Sequence, residues 1–243
     1  MGALVRKLFA LGQTSISATP RAPDFVVVLS LERTGSTAIA ESLKRGFDPE
    51  RVIQAHFFDG DAYRPAPPAP GDEGRRADKQ AREARVRAWL GDPSLNGVVF
   101  SIVRDPVGRI ASGLWCKKTD MLVRHYQADT DAFRPTVMKL IDSRMQDFLE
   151  KEANYARDVY LPLGLPARPA PGTYRAKNGA RVFVLDFARI EDDFRTATQA
   201  AFGRVIPLIR AKNGAAAFGD PQIYAAFKRF CAQILAAERL QPG

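Results

Sequence analysis

Phe25-Val-Val-Val-Leu-Ser-Leu31 is an almost unbroken apolar, largely β-branched run that leads straight into Glu32-Arg33-Thr34-Gly35-Ser36-Thr37. A helical pattern follows from Thr37 to Arg45, with Ile39 and Leu43 four residues apart. A run without alternation predicts a strand covered on both faces, the kind found inside a parallel sheet layered with helices. The tight turn after it exposes the first backbone N–H groups of a helix, where the helix dipole also favours an anion. Gly35 permits close backbone approach, Ser36 and Thr37 offer hydroxyl donors, and Arg33 brings a permanent charge whose fork matches an oxyanion. The string is not the nucleoside-triphosphate P-loop, which needs Gly-x-x-x-x-Gly-Lys-Ser/Thr. A plain helix capped by Thr34 or Ser36 is the alternative reading of the same residues.

A second segment, Val103-Arg104-Asp-Pro-Val-Gly-Arg-Ile-Ala-Ser112, follows the apolar strand run Gly97–Val103. Arg104 then lies at the carboxyl end of a strand, the edge at which open α/β sheets place ligands. Pro106 suits a first helical turn, and the helix is expected from about Val107 to Lys118. It would carry Ser112 back to the side of Arg104, with Arg109 also within reach of an anion. The alternative is a local Arg104–Asp105 ion pair with Ser112 facing solvent. Two anion grips of different design point to a nucleotide with phosphates at both ends.

The remaining pattern alternates strands and helices. Val52–Phe58 reads as a strand, Arg75–Leu90 as a charged helix, and Pro135–Arg157 as a helix with Val137, Ile141, Met145 and Phe148 on one face. Asn178-Gly179 signals a hairpin turn into the strand Val182–Asp186. Helices are expected near Asp192–Phe202 and Gln222–Glu238, and 64–71 is a Pro-rich loop. Together these predict a three-layer α/β/α sandwich around a mainly parallel sheet of about four to five strands. The expected organisation is a flexible tail over 1–23 and a single domain over 24–243, a length that suits one sizeable core.

Charge narrows the ligand. There are 36 Lys+Arg against 27 Asp+Glu, a net charge of +9. Such an excess favours acidic partners. No aromatic-basic interleaving or helix-turn-helix pattern points to nucleic acid, so a small anionic ligand is expected. No apolar run is long enough to span a membrane. Met1–Gly12 is basic and apolar and reads as a frayed end, with a degenerate targeting segment or a peripheral membrane contact as the alternatives, and a cytoplasmic location is expected. Cys116 and Cys231 lie in apolar helical contexts and read as buried thiols.

The two grips together resemble the sulfotransferase family, whose donor is 3′-phosphoadenosine 5′-phosphosulfate. In that family a strand-loop-helix with a cation, a glycine and two hydroxyl residues holds the 5′-phosphosulfate, and Arg33-Thr34-Gly35-Ser36-Thr37 is similar to it. An Arg and a Ser eight positions apart in an Arg-Asp/Asn-Pro setting hold the 3′-phosphate, and Arg104-Asp105-Pro106 with Ser112 matches in type and spacing. Asn154–Tyr160, Leu185–Asp193 and Tyr224–Phe230 look like the bacterial capsular-polysaccharide branch. The resemblance implies a P-loop-kinase-like sulfotransferase fold and metal-independent, in-line sulfuryl transfer to an acceptor hydroxyl, most simply a carbohydrate one. Arg33, Thr34, Gly35, Ser36, Thr37, Arg104 and Ser112 would bind the donor.

Arg33 would stabilise the departing 5′-phosphate, since positioning and electrostatics supply most of the effect in such transfers. The proton acceptor is open. His56, at the carboxyl end of a strand in Gln54-Ala-His-Phe-Phe-Asp59, has the titration range of a general base. Heparan-type sulfotransferases carry a similar string with a catalytic Glu where Gln54 stands, so His56, Asp59 or a group elsewhere must serve, or His56 is a plain strand-end residue. His125 reads as a surface residue. Lys117, Lys118, Arg124, Lys177, Arg210 and Lys212 are candidates for holding an anionic acceptor, with 64–71 and 119–134 as its cleft. The alternatives to an enzyme of this kind are a non-catalytic nucleotide-binding protein of polysaccharide synthesis and a nucleotide-kinase-like phosphotransferase.

Overall fold

A computed structural model describes residues 22–31, 34–55, 73–114, 135, 138–139, 141, 150–209 and 221–239. Strand β1 (Phe25–Leu29) is buried at every position, as a run without alternation demands. It is followed by helix α1 (Ser36–Gly46), strand β2 (Val52–Ala55) and helix α2 (Glu73–Gly91). Strand β3 (Gly97–Val103) leads into helix α3 over 106–114. Helix α4 is α-helical over 150–155, widens into a π-helical turn at Ala156–Tyr160 and closes with Leu161–Leu163. Strands β4 (Gly172–Arg175) and β5 (Arg181–Asp186) precede helices α5 (Ile190–Phe202) and α6 (Pro221–Arg239).

The five strands form one sheet in the order β2-β1-β3-β5-β4, parallel except for the β4–β5 hairpin. The chain moves outward from β1 to β2 and then returns past β1 to β3. That reversal makes the carboxyl edge between β1 and β3 a topological switch point. Register sets Leu29, the last residue of β1, opposite Ser101, two residues before β3 ends at Val103.

Helices cover both faces. On one, Val86 of α2 and Tyr155, Val159 and Leu163 of α4 join Phe25, Val27, Val99 and Val182. On the other, Ile39 and Leu43 of α1 and Phe194 and Ala197 of α5 join Val26, Phe100 and Phe183. Alternate residues of β1 therefore serve opposite cores, which explains why the strand is apolar throughout. Phe100 is fully buried, 5.5 Å from the Phe183 ring and 5.8 Å from that of Phe194. Truncating such a ring to Ala costs about 3–5 kcal/mol.

The α/β class with a mainly parallel five-stranded sheet agrees with the sequence reading. The Asn178-Gly179 turn is present, with the Gly179 N–H donating to the carbonyl of Ala176. Helix α4 runs beyond Arg157, where the sequence pattern ends. Of its expected apolar face, Ile141 is buried, whereas Val137, Met145 and Phe148 lie outside the described residues. No helix among the described residues is long and apolar enough to cross a membrane.

Candidate functional site

The first grip begins where β1 ends. Thr34 is buried and its Oγ1 donates to the Leu31 carbonyl at 2.7 Å, which ties the turn to the strand end. Gly35 is the N-cap of α1 with φ 85°, and no side chain caps the helix. This corrects the alternative of capping by Thr34 or Ser36. The left-handed conformation at Gly35 would cost an ordinary residue about 1–2 kcal/mol. A Cβ there would also meet the Phe187 ring at 3.2 Å and Ile190 at 3.3 Å. Ser36 and Thr37 are consequently the first helical residues rather than caps, and their hydroxyls remain available. Both accept hydrogen bonds from Gln54 Nε2, at 2.9 Å and 3.4 Å.

The second grip leaves the neighbouring strand end. Asp105 caps α3: its Oδ1 accepts from the Gly108 N–H at 2.6 Å, and Pro106 occupies the first helical position. Its Oδ2 stands 3.8 Å from Lys228 Nζ of α6. In place of the alternative Arg104–Asp105 ion pair stands a helix cap, because Asp before Pro meets the N3 amide better than it meets its neighbour's side chain. Arg104 turns instead toward β5, where its guanidinium carbon lies 4.0 Å from the centroid of the Phe187 ring. Phe187 thus touches both grips, packing beneath Arg104 and beside Gly35. Ser112 is half-buried on α3.

A cavity of about 560 Å³ opens beside the two strand ends, with Thr34, Arg104, Arg109, Glu152, Arg157 and Arg168 in its wall. Thr34 and Arg104 are thereby brought together. Gly35, Ser36, Thr37 and Ser112 are not part of that wall. Arg109 is 8% exposed and donates from its guanidinium to Glu152 Oε1 at 3.0 Å, so it is held by an ion pair rather than poised for a ligand. Tyr160 shares a buried hydrogen bond with Ser101 at 2.9 Å and meets the Tyr155 ring edge-on at 4.9 Å. Burial raises both phenols above their usual range, which keeps the two hydroxyls neutral.

Arg33, His56 and Asp59 lie outside the described residues, as do His125, Cys116, Lys117, Lys118, Arg124, Arg210, Lys212 and the proposed cleft segments 64–71 and 119–134. Lys177 is exposed on the β4–β5 turn, at the amino end of the sheet and away from both grips. It is not part of the site. Phe187, Glu152 and Arg168 were missed by sequence reasoning. Only Phe187 has a local signal, an aromatic residue immediately after a strand. Among the described residues no group of three His, Cys, Asp or Glu side chains is placed to hold a metal. Comparison with family models, curated proteins and solved structures finds no match for this chain.

Proposed function

We propose that this chain is a sulfotransferase of P-loop-kinase-like fold that moves a sulfuryl group from 3′-phosphoadenosine 5′-phosphosulfate to an acceptor hydroxyl. The observation that supports the reading is that the two candidate anion-binding segments leave the carboxyl ends of adjacent parallel strands, β1 and β3, at a switch point. The residues present suit such a donor. Gly35 brings α1 close without a side chain, Ser36 and Thr37 keep hydroxyl donors, and Arg104 supplies a guanidinium braced on Phe187. On this reading Thr34–Thr37, with Arg33, hold the 5′-phosphosulfate, while Arg104 and Ser112 hold the 3′-phosphate.

The donor supplies the sulfuryl group, and the acceptor oxygen must lose a proton as the new bond forms. On this reading His56 takes that proton and Arg33 steadies the leaving phosphate. The amide of Gln54 already donates to the two loop hydroxyls, a role opposite to that of a base.

Calorimetry against 3′-phosphoadenosine 5′-phosphate and against ATP with Mg²⁺ tests the reading. Micromolar binding of the former, lost in Arg104→Ala, is the expected result. Preference for ATP with Mg²⁺ would replace it with a phosphotransferase. Nucleotide binding without transfer to any hydroxyl acceptor would favour the non-catalytic alternative.

A further inference from the structure

The cavity beside the strand ends combines apolar sides with charged side chains. Leu31, Ile102, Val103, Tyr155 and Pro169 give it apolar sides. Leu161, also in the wall, is 49% exposed, one of only two large hydrophobic side chains left so open among the described residues. A carbohydrate site pairs many hydroxyls with polar side chains, whereas apolar walls with a few placed charges suit a compact organic ligand. The walls are also braced. Tyr160 is fixed to Ser101, and the π-helical turn Ala156–Tyr160 sets Ala156, Arg157 and Tyr160 into one side. π-Helical turns of this kind are frequent at functional sites.

The charges identify the rest of the ligand. Arg109 is paired with Glu152, and Arg157 is held by Asp158 through two hydrogen bonds, at 2.7 Å and 3.0 Å. Arg104 and Arg168 are the other two arginines of the wall. Arg104 belongs to the donor's grip. Arg168 is exposed at the cavity, on the loop after α4, and forms no ion pair or hydrogen bond among the described residues. An occupant with an apolar body and one anionic group would satisfy this arrangement.

We infer that the cavity binds the acceptor, and that the acceptor is a compact hydroxy acid: an apolar ring or chain bearing the reacting hydroxyl, with a carboxylate set on Arg168. This rests on the sulfotransferase reading, and it replaces a polysaccharide with a small molecule. The hydroxyl end would enter toward Thr34, the cavity residue that belongs to the 5′-phosphosulfate grip. Gly35, Ser36, Thr37 and Ser112 lie outside the wall, so donor and acceptor have separate berths that meet at Thr34 and Arg104.

The test uses the full chain and the intrinsic fluorescence of 6-hydroxy-2-naphthoate, titrated with and without saturating 3′-phosphoadenosine 5′-phosphate, with 2-naphthol as the uncharged comparison. The naphthoate is expected to bind in both conditions. Arg168→Ala should weaken it by about tenfold while leaving 2-naphthol unchanged, the loss expected of one charge-assisted contact. Ala153→Phe and Ala156→Phe, which project bulk from the wall, should weaken both probes. If the nucleotide displaces the naphthoate, the cavity is the donor's berth and the inference falls. It also falls if neither probe binds a protein that does bind the nucleotide. Naphthoate binding by a chain that ignores the nucleotide would sink the sulfotransferase reading and leave the cavity's ligand class standing.

Discussion

The guanidinium of Arg104 lies over the ring of Phe187, its central carbon 4.0 Å from the ring centroid, at the junction of the two candidate anion-binding segments. The same ring stands where a side chain on Gly35 would project. Phe187 therefore packs against the arginine of one candidate segment and beside the turn of the other.

Replacing Phe187 by Leu keeps the apolar contact and removes the aromatic face. A cation–π contact of this exposure is worth about 0.5–1 kcal/mol. Affinity for 3′-phosphoadenosine 5′-phosphate should fall about two- to fivefold in calorimetry. Unchanged affinity would show that Arg104 is aimed by something other than this ring.

Asp105 and Gly108 form a pair whose mutations should not add. Asp105→Ala removes an N-cap and should cost about 1 kcal/mol. Gly108→Ala improves helix propensity by up to about 1 kcal/mol, but its Cβ would stand 2.5 Å from Asp105 Oδ2 and displace the cap. With both changes the clash is gone and the propensity gain remains. The double variant is expected to be more stable than Asp105→Ala alone by urea unfolding, a positive coupling between neighbours. Additive losses would contradict the cap.

The strands were readable because their patterns are local. Phe25–Leu29 lacks alternation since each residue meets one of two cores, and the Asn178-Gly179 turn announces the hairpin. β4 was not read as a strand: Gly172–Arg175 is mostly exposed at the sheet edge and carries no apolar period. The site was readable only where a motif is contiguous. Asp105-Pro106 is itself an N-cap signal, so the correct role of Asp105 was available from sequence. Arg109 and Glu152 stand 43 positions apart, and no pattern along the chain links them. Arg168 matters only because a loop returns it to the cavity, a consequence of tertiary structure alone.

The Arg109–Glu152 pair makes a stability prediction. Arg109 is 8% exposed and Glu152 is 26% exposed at the side chain. Glu152→Ala would take the paired carboxylate from a buried guanidinium, at a cost of about 2–4 kcal/mol given the partial exposure of Glu152. Arg109→Met combined with Glu152→Leu should lose less than Glu152→Ala alone. Guanidinium chloride would mask charge effects, so urea unfolding is the appropriate measurement.

Cys231 predicts an alkaline limit. Burial pushes its thiol up from 9.0 to about 12. A pKa raised on folding means that the unfolded chain ionises first, so this contribution is intact below about pH 9 and is lost as pH rises toward 12. Tyr155 and Tyr160, also raised by burial, add to the decline above their ordinary value of 10.0. Melting temperature should fall steadily above pH 9, and Cys231→Ala should flatten the first part of that fall. An identical slope in the variant would place the titrating groups elsewhere.

Gln54 decides the polarity of the first grip. Its Nε2 donates to Ser36 Oγ and Thr37 Oγ1, so both hydroxyls accept there and can turn their own protons toward an anion. Glu at this position would do the reverse: its carboxylate would accept from both hydroxyls and set a negative charge beside the anion site. Gln54→Glu is expected to weaken 3′-phosphoadenosine 5′-phosphate binding about tenfold or more at pH 8. The bound anion would itself favour protonation of the new carboxyl, so affinity should recover toward pH 5. Gln54→Met, which removes the donor without adding charge, should lose less at pH 8 and show no such recovery. Calorimetry at the two pH values separates these outcomes. Wild-type affinity for Gln54→Glu at pH 8 would mean that the two hydroxyls do not face the ligand.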